Sequence, residues 1–134
     1  MHPTALHLWR PLHRWSSSLV GVVALVHCAM TPLLYDGWHP DALWFLGTGM
    51  ALLLLSAMNL AHVRPTSSAP SPLPTAPVLR WANVGFLVFG LAALLAIAEP
   101  QALMIVLGLL AQAVASFWTL PGPPRPPSHD ATGS

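Results

Sequence analysis

The sequence has no lysine and few charges of either sign: five arginines are set against four acidic side chains, and charged residues make up 7% of the 134 positions. An ordinary soluble domain carries roughly a quarter. With a formal charge of +1 and no basic stripe to follow phosphates, nucleic acid is excluded as a partner. Cysteine occurs once, at Cys28, so neither an internal disulfide nor a multi-cysteine metal module is available. Paired in-membrane carboxylates, His-Glu-x-x-His and a glycine-rich phosphate loop are missing too. No enzyme activity, cofactor or metal is therefore expected, and no catalytic residue is assigned.

What fills the chain instead is apolar: 54% of residues are hydrophobic, more surface than a soluble fold can hide. The stretch from Asp41 to Arg64 shows how it is used. It is uncharged between Asp41 and His62, and at ~1.5 Å per helical residue it reaches ~33 Å, slightly more than the ~30 Å of hydrocarbon in a bilayer. At 100° per residue Asp41, Thr48, Asn59 and His62 fall within ~60° of one another, opposite an arc of Leu, Ala, Met and Phe. One face is suited to lipid and the other to protein.

Four such spans are expected, at about 16–34, 42–63, 79–98 and 101–120, together forming a transmembrane domain over 16–120. Residues 1–15 mix His2, His7, Arg10, His13 and Arg14 with Trp9 and Trp15, and read as an interfacial lead-in rather than a cleaved signal. Pro32 should bend the end of the first span. Gly37 is placed to end that span and Asp41 to cap the second. Residues 65–77 hold five prolines and form a polyproline-type linker, Pro100 suits the first position of the last helix, and 121–134 is a disordered Pro-rich tail.

In a four-span zigzag, Arg10, Arg14, Arg64, Arg80 and Arg125 share one side and Asp36, Asp41 and Glu99 the other. The positive-inside rule then places both termini and the linker in the cytoplasm, as expected for a multi-pass protein of a bacterial plasma (inner) membrane. Each span carries a stripe at alternating spacings of three and four. These are Ser17, Gly21, Ala24, Cys28 and Thr31; Thr48, Leu52, Leu55, Asn59 and His62; Asn83, Leu87, Gly90 and Leu94; and Ile105, Gly108, Gln112, Ala115 and Thr119. Small residues at this spacing let helix backbones approach in lipid. The fold class expected is an all-α integral membrane protein, an up-down-up-down four-helix transmembrane bundle.

Its polar intramembrane candidates are His27, Thr48, Asn59, His62, Asn83 and Gln112. Depth counting puts Ser18, Asn59, Asn83 and Ser116 in one layer near the cytoplasmic ends, as glue fixing register or as a polar site. His27 is ~10 Å below the other surface, where it either donates to a neighbour such as Thr48 or acts on a proton, metal or haem. His27 and His62, ~15 Å apart along the membrane normal, do not ligate one haem within a subunit. Asp36, His39, Asp41 and Glu99, with Tyr35, are the outer-face candidates. The reading favoured by these residues is an accessory or scaffold subunit working through helix contacts. Its partners would be the lipid bilayer and a second copy or larger membrane protein. The alternatives are an oligomeric transport component for protons or small solutes, and a cofactor- or metal-binding redox protein using His27.

Overall fold

A computed structural model describes residues 3–63, 75–97 and 100–120. Four helices account for nearly all of them: α1 (Pro3–Leu34), α2 (Pro40–Val63), α3 (Ala76–Ile97) and α4 (Pro100–Thr119). All four are long and apolar enough to cross a membrane, and the described residues are helical apart from short connecting turns, which suits a multi-pass integral membrane protein. Arg64, most of the proline-rich linker, Glu99 and the C-terminal tail, Arg125 included, lie outside the described residues.

The helix ends follow local chemistry. Tyr35 N–H bonds back to the Thr31 carbonyl, and the chain then turns through Gly37 at φ +105°, a conformation that a Cβ would strain. The second helix starts two residues earlier than the sequence indicated. Pro40 is its first residue, where a missing N–H costs nothing, and the His39 carbonyl accepts the first helical bond from Leu43 at 3.1 Å. Asp41 therefore sits in the first turn, where its charge suits the helix dipole, and is not the cap. Thr75 plays the same part for α3 by accepting from Leu79 at 3.1 Å.

The largest departure is in α1. Its 32 residues form one helix containing both Pro11 and Pro32, ~48 Å long against ~30 Å of hydrocarbon. α1 therefore begins inside the stretch read as an interfacial lead-in and runs through it without a break.

α1 packs on α2 and on α4, and α3 packs on α4, whereas α2 and α3 meet only sparsely. The shared core is Val20 and Ala24, Leu52 and Leu55, Leu79, and Leu109. Three glycines permit the close approaches. A Cβ on Gly21 would lie 2.5 Å from Ser56 Oγ, one on Gly49 2.6 Å from Cys28 Sγ, and one on Gly108 2.8 Å from Val20 Cγ2. Much of the outer surface is apolar, Leu95 being 88% exposed, which is unfavourable in water and suited to lipid or a partner helix.

Candidate functional site

The stripes turn inward as their spacing implied: Ser17, Ala24, Thr31, Leu52, Leu55, Asn59, Asn83, Gly90, Gly108, Gln112 and Ala115 are all buried. Where they converge, a layer of polar side chains joins all four helices. It is drawn from the first half of α1 and α3 and the second half of α2 and α4. Asn59 and Asn83 face each other as a reciprocal amide pair, each Nδ2 donating to the other's Oδ1 at 2.8 and 2.9 Å. Gln112 Nε2 donates to Asn83 Oδ1 at 2.9 Å. His13 closes the layer, with Nε2 2.8 Å from Asn59 Oδ1 and Nδ1 2.5 Å from Thr119 Oγ1.

The proton on His13 can be placed from its partners. Asn59 is oriented by Nδ2 donating to the Leu55 carbonyl at 2.8 Å, so the atom facing His13 is an oxygen, which only accepts. Nε2 therefore carries a hydrogen. On the other side Thr119 Oγ1 lies 2.9 Å from the Ala115 carbonyl and has a single hydrogen to give. With Nδ1 bare, the hydroxyl donates to it. With Nδ1 protonated, the ring donates to Thr119 and the hydroxyl turns to Ala115. Rotation of one O–H thus accommodates either ring state.

His13, Asn59, Asn83 and Gln112 are all 0% exposed, and hydrogen bonds of this kind in a membrane are worth roughly 0.6 to 2 kcal/mol each. Two polar atoms at this level, Ser17 Oγ and Gln112 Oε1, are buried with no hydrogen-bond partner among the described residues. The layer differs from the one expected by depth counting in two members: His13 stands in place of Ser18, and Gln112 joins from α4 while Ser116 donates to the Ala113 carbonyl of its own helix at 2.7 Å. Asn59, Asn83 and Ser116 are buried, but α1 contributes His13, Ser16 and Ser17, while Ser18 is half-buried. His13 was missed because the arginines and tryptophans around it mark an interface. The alternating stripe does not find it either, since a further step of three back from Ser17 lands on the exposed Arg14.

The remaining candidates are dispersed. His62 Nδ1 donates to the Met58 carbonyl of its own helix at 3.0 Å. Thr48 donates to the Trp44 carbonyl at 2.9 Å and not to His27. His27 instead stacks flat on Phe45, ring centroids 3.4 Å apart and planes 20° off parallel. Asp36, His39 and Asp41 are exposed, His39 meeting the Tyr35 ring edge-on at 5.4 Å. Among the described residues no three His, Cys, Asp or Glu side chains converge to hold a metal ion.

His27 faces a cavity of about 280 Å³ between the helices, with Tyr35, Phe45 and Gln101 among its walls and Leu52 and Leu109 also lining it. A shallower groove of about 500 Å³ runs between α2 and α3, along Gly47, Thr48, Ala51, Ala82 and Gly85. Trp44, Thr48 and Phe89 border both spaces, and the Trp44 and Phe89 rings meet edge-to-face at 6.3 Å. No protein-family model matches the chain, and no curated protein or solved structure shows significant similarity to it.

Proposed function

We propose that the protein is an accessory or scaffold subunit of a bacterial inner membrane, a four-helix bundle of up-down-up-down order with both termini in the cytoplasm. It would act by presenting a fixed set of apolar helix faces to a larger membrane protein or to a second copy. The observation that carries this reading is the layer of His13, Asn59, Asn83 and Gln112, because it takes one side chain from every helix and uses their hydrogen bonds on one another. A layer so closed holds four helices in one register. It also supports the orientation: the ends that meet in it are those flanked by Arg10, Arg14 and Arg80, which the positive-inside rule assigns to the cytoplasm.

A packing role is favoured over a conducting one by what lies beside the layer. Val20, Ala24, Leu52, Leu55 and Leu109 form one buried apolar cluster, and Leu52 and Leu109 belong to it while lining the His27 cavity. A polar route would have to cross that cluster. The test is the size of the native assembly. Membranes solubilised in mild detergent and separated under native conditions should show the chain in a particle much larger than its 14.3 kDa. Asn59→Leu, by loosening helix register, should release it. Migration of the wild-type chain as a lone monomer would overturn the proposal.

A further inference from the structure

We propose that the cavity at the His27 end is a binding site for the head of an uncharged isoprenoid quinone or quinol, whose tail leaves to the lipid along the groove between α2 and α3. This goes beyond the scaffold reading and does not rest on it.

The wall chemistry selects the head. The cavity is bordered by the rings of Tyr35, Trp44, Phe45 and Phe89, and aromatic walls favour a planar ring stacked against or edge-on to them. None of the cavity's lining residues is an arginine, so a phosphate-bearing head would enter without a counter-charge, which is unfavourable in a low-dielectric site. The polar groups at the wall are few: the His27 imidazole, the Thr48 and Tyr35 hydroxyls and the Gln101 amide. With the imidazole N–H turned to the Phe45 carbonyl, the bare ring nitrogen is left to accept from a quinol hydroxyl. His27 is held flat by its stack on Phe45, so its ring edge is fixed in direction.

The size and the exit select the tail. At about 280 Å³ the cavity is near the lower limit for small-molecule sites and holds a head group but no long chain. It adjoins the groove through residues common to both, Trp44, Thr48 and Phe89. That groove has the room a chain needs, since a Cβ on Gly47 or Gly85 would meet nothing within 4 Å. A head pocket bordered by aromatic rings and joined to an apolar lateral groove is the shape of an amphiphile with a compact neutral head and a long apolar tail.

The experiment uses the full chain in phosphatidylcholine nanodiscs, with quenching of tryptophan fluorescence as the readout. The probes are decylubiquinone and its tail-less benzoquinone head. Saturable quenching by decylubiquinone is expected, diminished in Trp44→Phe, which removes the fluorophore beside both spaces. His27→Leu should weaken the quinol form of both probes about tenfold, while His27→Gln, which still forms hydrogen bonds, recovers most of the affinity. Gly85→Leu puts a side chain into the groove at a position where its Cβ meets nothing within 4 Å, so it should weaken the tailed probe and leave the tail-less one unchanged. Thermal unfolding of each variant identifies any that has lost its fold. The proposal is overturned if quenching rises linearly as for simple partition into lipid. Equal affinity of wild type, His27→Leu and Gly85→Leu would also overturn it, as would displacement of the quinone by lysophosphatidylglycerol at matching concentration, which would identify a general lipid site.

Discussion

His13 Nε2 and Asn59 Oδ1 lie 2.8 Å apart across α1 and α2, although the residues are 46 positions apart in the chain and both are fully buried. Asn59 uses its whole amide: both hydrogens go to Leu55 and Asn83, and its oxygen accepts from Asn83 and His13. Asn59→Leu would strand a donor on His13 and Nδ2 of Asn83, whose Oδ1 keeps its bond from Gln112, so a loss of about 2 to 3 kcal/mol is expected. Gln112→Leu removes one bond but also the orphaned Oε1, and should stay within about 1 kcal/mol of wild type. Equilibrium unfolding in mixed detergent micelles compares them. Equal losses would mean that the amides do not act as the structure arranges them.

The same layer makes a prediction about His13 itself. Gln at position 13 would still present an N–H towards Asn59 Oδ1, whereas Leu presents none. His13→Gln should therefore lose clearly less stability than His13→Leu in the same unfolding series. If the two variants unfold alike, the contribution of His13 is its volume and not its hydrogen bonds.

The glycines divide into two groups by what surrounds them. At Gly21, Gly49 and Gly108 an added methyl would lie under 3 Å from Ser56 Oγ, Cys28 Sγ and Val20 Cγ2, so either those side chains or the helices must shift. Alanine there should destabilise by about 1 to 3 kcal/mol. The loss at Gly21 should be partly recovered by Ser56→Ala, which removes the atom in the way. At Gly47 and Gly85 the space is open, and alanine should stabilise by up to about 1 kcal/mol through helix propensity alone. Thermal unfolding of the five single variants and the one double variant reads this out.

Most of the architecture is visible in the sequence because lipid imposes length and packing imposes spacing. Runs of about twenty apolar residues mark the helices, and the small-residue stripes mark the faces that turn inward. That spacing makes Asn59, Asn83 and Gln112 each legible as inward-facing, whereas the layer that depth counting gives holds Ser18, Asn59, Asn83 and Ser116 and not Gln112. At the N-terminus the signal is mixed, because His13 is buried while Arg10, Arg14 and Trp15 around it are exposed, and a helix segment with one buried face among such neighbours looks interfacial in composition. His27 failed differently. Depth counting placed Thr48 at its level, but depth says nothing of azimuth, and the ring turned to Phe45 instead. The cavity and the groove were not legible at all, since they arise from how sparsely α2 meets α3.

Arg80 shows an arginine held by carbonyls at the end of a neighbouring helix. Its Nη2 donates to the Leu120 carbonyl at 2.6 Å and its Nε to the Ser116 carbonyl at 3.3 Å, with the guanidinium 5.7 Å from the centre of the Phe117 ring. The Leu120 carbonyl lies at the exit of α4, beyond its last helical N–H, and the Ser116 carbonyl, which also accepts from Leu120 N–H at 3.2 Å, lies in its last turn, where the helix dipole is negative. A planar fork satisfies two of them at once, and an ammonium does not reproduce that geometry. Arg80→Lys should keep the charge, and with it the membrane orientation, yet speed hydrogen exchange at the amides of Trp118, Thr119 and Leu120. Arg80→Ala should speed it further. Exchange in Arg80→Lys as slow as in wild type would show that charge alone secures the end of α4.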